Sequence, residues 1–318
     1  MPATPKLSII IPTYNVRRYI AQCMSSVQEQ TLKDIEIIVG DGGSDDGTLE
    51  FLQDVAKQDP RIFMISRKGS GYGQSMNECM DAARGEYIGI VESDDFVDPS
   101  MFERLYVQAC QYDADIVKSD YYCFFDDPNG TQRKWKVKTA LSKRDYHRVF
   151  TPSEEARTFR FGMNTWCGIY RREFLNTHHV RHNQTQGGSY QDNGFWFQGF
   201  ALASRVVVIP EAFYYYRQDN PNSSINNPGK VFTICDEYDF IWENMSPRSQ
   251  WTPSVEKAYW MARFGAYMFS LNRVGDEFKL PFLYRMQQDF LPLCSQGIYG
   301  DAVFSGREKK LIDRKSVV

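Results

Sequence analysis

Short apolar runs alternate with amphipathic segments over the first 120 residues. Runs of four to eight β-branched and apolar residues that end at Pro, Gly or Asn are typical of buried strands, and an apolar stripe with helical spacing is typical of a packed helix. Strands are predicted at residues 7–11, 35–39, 62–66, 87–91 and 115–119, and helices at 16–30, 48–58, 75–83 and 99–111. This alternation predicts an α/β protein with a parallel, doubly wound sheet.

The alternation weakens after residue 120. Residues 126–148 are polar and basic around a Pro128-Asn129-Gly130 turn signal, which predicts a hairpin or a loop excursion. Further predictions are two helical pieces within 153–175, a helix at 190–202, strands at 205–209 and 214–217, a loop at 221–229, and helices at 231–244, 254–272 and 282–293. We therefore expect a catalytic domain at residues 1–228 and a helical C-terminal region at 229–318, with the boundary near Pro228.

Composition narrows the class of protein without naming an activity. The chain has 318 residues, 42% hydrophobic and 24% charged, with a net charge of −3, which is ordinary for a globular protein and indicates no nucleic-acid partner. Seven irregularly spaced cysteines favour a reducing, cytoplasmic compartment. No apolar run approaches the ~20 residues of a spanning helix, so any membrane contact is expected to be peripheral, at the inner face.

Two acidic turns follow predicted strands directly. Glu92-Ser93-Asp94-Asp95 follows the strand at 87–91, and Asp41 begins a Gly- and Asp-rich turn after the strand at 35–39. Ligands of open α/β sheets bind at the carboxyl ends of the strands. Two like charges about 4 Å apart repel by roughly 1 kcal/mol in water and roughly 4 kcal/mol near a protein surface, a cost that a divalent cation relieves. The first turn therefore predicts a Mg²⁺ or Mn²⁺ site that carries a nucleotide diphosphate, and a cap for the helix that begins near Pro99 is the alternative.

Glycine placement argues against a redox cofactor. A dinucleotide-binding unit needs glycines after its first strand so that the pyrophosphate can approach the backbone, and here Pro12-Thr13-Tyr14-Asn15 stands in that place. The later Gly69-x-Gly71-x-Gly73 pattern is a weak phosphate-loop signal, and a turn without a ligand explains it equally well. Asp41 taken alone fits either a contact to a nucleotide base or an Asx turn.

The motifs in combination resemble glycosyltransferase family 2. The resemblance is strong over residues 6–120 and looser over 160–225. It is carried by Ser8-Ile9-Ile10-Ile11-Pro12-Thr13-Tyr14-Asn15, Asp41-Gly42-Gly43-Ser44-Asp45-Asp46-Gly47-Thr48, Asn77, Gly85-Glu86-Tyr87-Ile88 and Glu92-Ser93-Asp94-Asp95. The resemblance implies a GT-A fold, which is a Rossmann-like, mostly parallel sheet flanked by helices, and a reaction that inverts the configuration of the donor sugar.

The resemblance also implies roles for particular residues. The nucleotide would contact Pro12, Thr13, Tyr14, Asp41, Asp94 and Arg217. Asp94 and Asp95 match the family's Asp-x-Asp region and would bind the metal. Two positions depart from the pattern, because Glu92 stands where the family often has Asp and Gly42 replaces a frequent second acid. We therefore do not expect Glu92 to ligate the metal directly.

The remaining implied roles concern catalysis and the acceptor. Asp192 matches the family's general base, although an acid at that place also suits the cap of the helix that follows. Arg217 with Asn222-Ser223-Ser224 would close over the diphosphate, unless Arg217 is an ordinary surface arginine. Glu92, Trp166 and Gln191 are candidate contacts to the sugar or the acceptor, and a buried core position is the alternative for Trp166.

The expected function is metal-dependent transfer of a sugar from a nucleotide-diphosphate sugar, with UDP favoured, to a hydroxyl of a surface-polysaccharide or lipid-linked glycan. A nucleotidyltransferase and a catalytically silent nucleotide- or glycan-binding protein are the alternatives. The aromatic C-terminal helices suit packing against the catalytic domain or against a second subunit in a homodimer, with a membrane surface as the less favoured partner.

Overall fold

The computed structural model describes residues 4–127, 129, 131–221 and 232–295. Its strands are β1 (Leu7–Thr13), β2 (Ile35–Asp41), β3 (Ile62–Ser66), β4 (Tyr87–Ile90), β5 (Phe96–Val97), β6 (Ile116–Asp126), β7 (Gln132–Val137), β8 (Gly168–Arg171) and β9 (Val206–Arg217). Its α-helices are α1 (Ile20–Gln28), α2 (Thr48–Gln58), α3 (Tyr72–Ala82), α4 (Met101–Tyr112), α5 (Arg172–Thr177), α6 (Gln191–Leu202), α7 (Thr233–Met245), α8 (Pro253–Leu271) and α9 (Asp276–Ser295). Short 3-10 turns lie at Lys143–Asp145 and Ala156–Arg160.

The first half of the sheet is parallel and buried. β1 pairs in parallel with both β2 and β4, and β3 adds to the outer edge of β2. All seven residues of β1 and all seven of β2 are buried. Strands covered on both faces have near-continuous hydrophobic sequences, so these apolar runs identified the strands correctly. The prediction of an α/β fold with a sheet flanked by helices and a helical C-terminal region is confirmed, and the predicted parallel pairing holds in this half of the sheet.

The second half of the sheet is mixed. The described strands follow the order β3-β2-β1-β4-β8-β6-β9-β5, with β7 paired to β6. β8 is antiparallel to β4 and to β6. The prediction of two helical pieces within 153–175 is wrong at this point, because residues 168–171 form a strand and only the 3-10 turn and α5 are helical. Gly168 permits the insertion, since a Cβ there would lie 2.3 Å from the Val117 carbonyl oxygen.

A single long strand replaces the two strands predicted at 205–209 and 214–217. β9 runs in parallel beside β6, and the pairing shifts register between Ser119, which pairs with Ile209, and Asp120, which pairs with Ala212. Pro210 lies in that irregularity. Proline has no N–H to donate to a ladder, so it is tolerated within a sheet at bulges and edges. The bulge therefore lets the strand continue to Arg217.

The chain divides into two compact units, Met1–Pro221 and Asn222–Val318. The predicted boundary near Pro228 and nearly all of the predicted loop at 221–229 lie outside the described residues, so the division at residues 228 and 229 stays a prediction. The described helices of the second unit are α7, α8 and α9, and the residue range of each overlaps that of a helix predicted from periodicity. No helix in the described part of the chain combines the length and the apolar character needed to span a bilayer.

An arginine holds the second unit together from inside. The Arg263 guanidinium is 4% exposed and donates to Asp239 at 2.8 Å and to Asp289 at 2.6 Å. It also donates to the hydroxyls of Tyr259 and Tyr267 at 2.7 and 3.0 Å. These four partners come from the three helices that the structure describes in this unit, so one buried cation links α7, α8 and α9.

Replacing Arg263 with methionine should destabilise the second unit by about 2–4 kcal/mol. Removing one partner of a buried ion pair costs about 3–5 kcal/mol, and partial exposure of Asp239 lowers that figure. The measurement is urea unfolding followed by far-UV circular dichroism. Lys279→Met is the control, because the Lys279–Asp276 pair is exposed and its loss should leave unfolding unchanged. Equal midpoints for the two variants would contradict a linking role for Arg263.

Candidate active site

The acidic turn lies at the carboxyl end of β4, where the sequence placed a ligand site. The Asp95 N–H donates to the Glu92 carbonyl oxygen at 3.0 Å, which closes the turn before β5 begins. Asp95 is 1% exposed, whereas Asp94 and Glu92 are half-buried. The turn therefore presents two carboxylates at a partly open surface above a third that is buried.

Tyr214 on β9 braces this turn. Its hydroxyl accepts from the Glu92 N–H at 3.0 Å and donates to Asp95 Oδ2 at 2.7 Å. The other Asp95 oxygen accepts from the Arg217 N–H at 2.7 Å. Both oxygens of the buried carboxylate are thus held by groups from one strand, which fixes the orientation of the acidic turn relative to β9.

The Arg217 side chain is engaged by protein groups. Its Nε donates to the Asp94 carbonyl oxygen at 3.0 Å, and its two terminal nitrogens donate to Asp126, Asp219 and Gln22 at 2.8–3.2 Å. The rings of Tyr19 and Phe124 lie on the guanidinium at 4.8 and 4.5 Å from their centroids. This environment is that of a buried brace for the Asp94–Asp95 turn. Direct contact between Arg217 and a diphosphate stays a prediction, and Asn222-Ser223-Ser224 lies outside the described residues.

Asp192 lies in the first turn of α6. The N-cap position belongs to Tyr190, whose φ of 68° is left-handed, so the Asp192 side chain is not the N-cap. Asn193 Nδ2 donates to Asp192 Oδ1 at 3.2 Å and to the Tyr190 carbonyl oxygen at 3.1 Å. The Asp192 carboxylate is therefore oriented by its neighbour at a helix N-terminus, where a negative charge is favoured.

The pKa shifts of these acids indicate that Asp192 lies near the acidic turn. The pKa of Glu92 is raised to about 8, mainly by burial; the Tyr72 hydroxyl acts in the opposite direction, and the negative charges of Asp94 and Asp192 add to the increase. Burial also raises the pKa of Asp95 and of Asp192. The structure thus brings Asp192 to the acidic turn, although about 100 residues separate them in the chain.

The pKa of Tyr216, on β9, is raised by the same acidic residues. Burial is the main cause of its raised pKa, followed by the negative charges of Asp95, Asp94, Asp192 and Glu92. Each of these charges disfavours a phenolate in the same place. Tyr216 therefore lies near these carboxylates.

The glycine pattern before α3 serves packing. A Cβ on Gly73 would lie 1.8 Å from the Asn183 carbonyl oxygen, and a Cβ on Gly71 would lie 2.5 Å from that of Thr185. The loop that leads to α6 thus rests directly on the start of α3. Between these glycines, the Tyr72 hydroxyl donates to Glu92 Oε1 at 2.8 Å. This close approach accounts for Gly71 and Gly73, whereas Gly69 has open space around it and a positive φ of 82° that favours glycine.

A series of side-chain-to-backbone contacts connects α3 to the residue before Asp192. The Asn77 side chain exchanges two hydrogen bonds of 2.9 Å with the backbone of His182. His182 Nδ1 lies 3.2 Å from the Gln191 carbonyl oxygen, and its ring stacks on Phe195 at 4.5 Å. A carbonyl only accepts, so Nδ1 carries the proton, and burial lowers the pKa of His182 to about 3. A neutral histidine therefore positions the residue before Asp192.

The Gln191 and Trp166 side chains are occupied within the protein. The Gln191 amide accepts from the Ser189 N–H at 2.6 Å and donates to Thr185 Oγ1 at 2.9 Å. Trp166 is 6% exposed and stacks on Tyr214 at 4.2 Å. These contacts match the core alternative for Trp166 and give Gln191 a loop-ordering role. Contact of either residue with a sugar stays a prediction.

The turn of residues 12–14 and Asp41 lie together at the ends of β1 and β2. Thr13 pairs with Asp41, and the Gly42 N–H donates to the Thr13 carbonyl oxygen at 2.9 Å. Asp41 Oδ2 accepts from the Gly43 N–H at 2.9 Å and from the Ser66 hydroxyl at 3.1 Å. The Asx turn is therefore present. Tyr14 is 62% exposed beside it, so an aromatic ring is accessible to a ligand at this end of the sheet.

Sequence reasoning missed the residues that orient the carboxylates. Tyr72, Asn193 and Tyr214 contact the turn or Asp192 itself, and Asn77, which the sequence placed in a motif without a role, contacts the loop before α6. For Tyr214 a signal existed, because alternate residues of Tyr214-Tyr215-Tyr216 face one side of a strand. In the part of the chain that the structure describes, no three Asp, Glu, His or Cys side chains are close enough to bind one metal ion together.

Replacing Tyr214 with phenylalanine should lower the free energy of unfolding by about 1–3 kcal/mol. The Glu92 N–H would lose its acceptor and Asp95 would lose a donor, and an unsatisfied buried group costs about that much. Tyr215→Phe is the matched control, because its hydroxyl lies on the opposite face of β9 and accepts from the exposed Lys134. Urea unfolding checks both variants, and equal loss in the two would contradict the bracing role.

Comparison with known proteins assigns the chain to a family. The model of glycosyl transferase family 2 matches residues 8–178. The uncharacterized glycosyltransferase EpsJ of Bacillus subtilis is 36% identical over 232 residues, which are 71% of this chain and 64% of that protein. The chain therefore belongs to glycosyltransferase family 2, and it spans less than two thirds of that relative's length.

Solved structures share the fold. Residues 1–349 of Staphylococcus aureus TarS superpose with a TM-score of 0.73 and 17% identity, covering 96% of this chain and 86% of that chain. The mannosyltransferase PcManGT of Pyrobaculum calidifontis superposes with a TM-score of 0.54 and 14% identity, covering 98% and 86%. At this level of identity the likeness establishes the fold alone. The GT-A fold that the resemblance implied is confirmed.

Proposed function

We propose that the protein is an inverting, metal-dependent glycosyltransferase that uses a UDP-sugar. The observation that carries the proposal is the acidic turn of Glu92, Asp94 and Asp95 at the carboxyl end of β4, with Asp192 near enough to influence the Glu92 carboxyl. A cluster of negative charge at strand ends suits a cation-bound diphosphate on one side and an acceptor hydroxyl near a carboxylate base on the other.

The donor atoms present fit a hard divalent ion. Mg²⁺ and Mn²⁺ prefer oxygen, and Mg²⁺ is usually held by one or two carboxylates together with waters and substrate phosphates. Asp94 would be the principal ligand, because it is half-buried and Asn220 donates to its Oδ2 at 2.7 Å, while in the described residues Oδ1 has no hydrogen-bond donor. Asp95 would support it from below, held by Tyr214 and Arg217. The ion would stabilise the negative charge on the departing diphosphate.

UDP is the favoured nucleotide. S. aureus TarS has been crystallised with UDP and with UDP-GlcNAc, whereas PcManGT has been crystallised with GDP-Man and Mn²⁺. In this chain Asp41 would accept the base N3–H, and the exposed Tyr14 ring would lie beside the base with Pro12 and Thr13. Asp41 Oδ1 supports that role, because its described contact is one N–H of Ser44 at 3.3 Å.

Asp192 would act as the general base. A hydroxyl becomes a strong nucleophile only as its proton leaves, and a positioned base contributes typically ~10²–10⁴-fold, or roughly 3–5 kcal/mol. The raised pKa of Asp192 strengthens it as a proton acceptor. Asn193 and the His182–Gln191 contact hold the start of α6 in place. Attack from the side of Asp192, opposite the diphosphate, would invert the anomeric configuration.

The acceptor would be a hydroxyl of a surface-polysaccharide or lipid-linked glycan. Relatives in the family include chondroitin synthase of Escherichia coli, which is 42% identical over 99 residues, 31% of this chain and 14% of that protein. A cytoplasmic enzyme would meet a lipid-linked acceptor at the inner face of the membrane. A homodimer through the C-terminal helices stays a prediction.

The experiment that tests the proposal is a panel of UDP-, GDP- and dTDP-sugars, each measured for Mn²⁺-dependent hydrolysis and for thermal stabilisation of the protein. The proposal expects one UDP-sugar to stabilise and to turn over. A catalytically silent binding protein would be stabilised without turnover. Family membership argues against a nucleotidyltransferase, and formation of a nucleotide-sugar from a nucleoside triphosphate would restore that alternative.

Replacing Asp94 with asparagine should weaken Mn²⁺-dependent UDP binding about 100-fold or more. Loss of one partner of a desolvated charge pair costs about 3 kcal/mol or more, which corresponds to that factor. The measurement is isothermal titration of UDP with and without Mn²⁺. Asp54→Asn removes an exposed carboxylate on α2 and should leave binding unchanged. Unaltered metal-dependent binding by the Asp94 variant would remove the proposed metal site.

A further inference from the structure

Positive charge is concentrated in one stretch of the first unit. Residues 131–163 contain nine Lys and Arg against three Asp and Glu, a formal charge of +6 in a chain whose total is −3. The other residues therefore carry −9. Such segregation within one polypeptide indicates a surface that meets a negatively charged partner.

This stretch is tied into one ordered piece. The Gly162 N–H donates to the Thr139 carbonyl oxygen at 2.9 Å, and Arg157 donates to Asp145 at 2.6 Å. Ser142 and Asp145 form a capping box at the 3-10 turn between these links. Residues 138–145 and 157–163 are thus neighbours in space, and the side chains they expose share one surface.

Only part of the positive charge is neutralised by the protein. Arg133, Arg148 and Arg157 form ion pairs with Asp127, Glu155 and Asp145, Lys136 pairs with Asp120, and Lys134 lies over Tyr122 and Tyr215. The other four cations are exposed, and in the described residues none of them has an ion pair or a hydrogen bond; they are Lys138, Lys143, Arg144 and Arg160.

Two apolar side chains are exposed among these cations. Leu141 is 52% exposed and Met163 is 36% exposed. The Gly162–Thr139 hydrogen bond holds Met163 beside the loop that carries Leu141. Exposed apolar groups flanked by unpaired cations are the combination that binds the interface of an anionic bilayer, where headgroups attract the cations and the acyl boundary accepts the apolar groups.

We propose that this basic–apolar surface, made of Lys138, Leu141, Lys143, Arg144, Arg160 and Met163, docks on an anionic lipid bilayer. A soluble polyanion would satisfy the four cations but would leave Leu141 and Met163 in water, which favours the lipid. The docking goes beyond the proposed transfer reaction and does not depend on it, since no residue of this surface belongs to the carboxylate cluster.

The test is sedimentation of the full chain with phosphatidylcholine vesicles that contain either no anionic lipid or about 30% phosphatidylglycerol, at about 0.1 M salt. The expected result is binding to the anionic vesicles alone and release at about 1 M salt, where the Debye length falls to about 3 Å. Binding to neither vesicle, or equally to both, would overturn the proposal.

Variants locate the contact. The triple change Lys138→Gln, Lys143→Gln and Arg144→Gln should lower the partition coefficient about 100-fold, because each cation near the surface contributes about fivefold. Leu141→Ser should lower it about tenfold with the charge unchanged. The matched control is Lys33→Gln, Lys57→Gln and Lys279→Gln, which removes equal charge from exposed sites elsewhere and should change the coefficient less than about twofold.

Two outcomes of the variant series would contradict the docking. Equal losses in the two triple variants would mean that net charge, and not this surface, drives binding. The surface would instead bind a soluble polyanion if Leu141→Ser left the partition coefficient unchanged and the wild type bound heparin as tightly as it binds the anionic vesicles. Thermal unfolding of every variant confirms that each one is folded before partition is compared.

Discussion

Replacing Asp192 with asparagine will lower the rate of sugar transfer by about 10²–10⁴-fold and leave UDP affinity unchanged. The amide keeps the shape of the carboxylate and the contact to Asn193, but it cannot take a proton from an acceptor hydroxyl. Burial disfavours the charged form of Asp192, so the neutral variant should be as stable as the wild type or more so. The measurements are initial rates of transfer, UDP affinity and urea unfolding on the same preparation.

A matched acid separates catalysis from helix stabilisation. Asp236 lies in the first turn of α7, as Asp192 does in α6, but it is exposed and in the second unit. Asp236→Asn should lose a few tenths of a kcal/mol of helix stabilisation and none of the transfer rate. If the Asp192 variant retained transfer at the wild-type rate, the base would have to be another group.

Replacing Gly73 with alanine will displace the loop before α6 and reduce transfer by about 10²-fold. The added Cβ would lie 1.8 Å from the Asn183 carbonyl oxygen and 3.4 Å from the His182 Cβ, so the backbone of one segment must move by more than 1 Å. His182 contacts the Gln191 carbonyl, which carries the displacement to Asp192. A misplacement of about 1 Å costs about 10²-fold in rate, and the overpacking should cost about 2–3 kcal/mol of stability.

Gly199 provides the control for this substitution. It lies within α6, and its nearest neighbour to an added Cβ is Ile116 Cδ1 at 3.7 Å, an ordinary contact. Gly199→Ala should be neutral or should stabilise the protein by up to about 1 kcal/mol, since alanine is favoured over glycine in a helix. Loss of activity in the Gly199 variant with full activity in the Gly73 variant would contradict the packing of this loop on α3.

The parallel half of the fold was predictable because the local sequence of each strand shows an apolar pattern typical of a strand. β1 and β2 are covered on both faces, so their sequences are continuous apolar runs. β8 gives no such signal. Residues 168–171 become a strand because β4 and β6 leave a slot between them and Gly168 allows the close approach to Val117, which is information held by partners about 50–80 residues away.

The candidate site divides in the same way. The acids at residues 92, 94 and 95 were found because charge at a strand end is a local pattern, and Asp192 was found through the family resemblance. The groups that orient them were not found. Tyr72 and Tyr214 donate hydrogen bonds to carboxylates that lie 20 and 119 residues away in the sequence. Arg217 was read as a phosphate ligand from its chemistry, whereas its surroundings depend on Gln22 and Asp126, which lie in distant segments.

A crystal structure of the protein with UDP and Mn²⁺ tests the central claim most directly. The account predicts an ion on an Asp94 oxygen at about 2.1 Å, with the diphosphate on that ion and the uracil beside Asp41 and Tyr14. Nucleotide and metal bound away from Asp94 and Asp95, or nucleotide bound at the strand ends with no metal on the diphosphate, would contradict it.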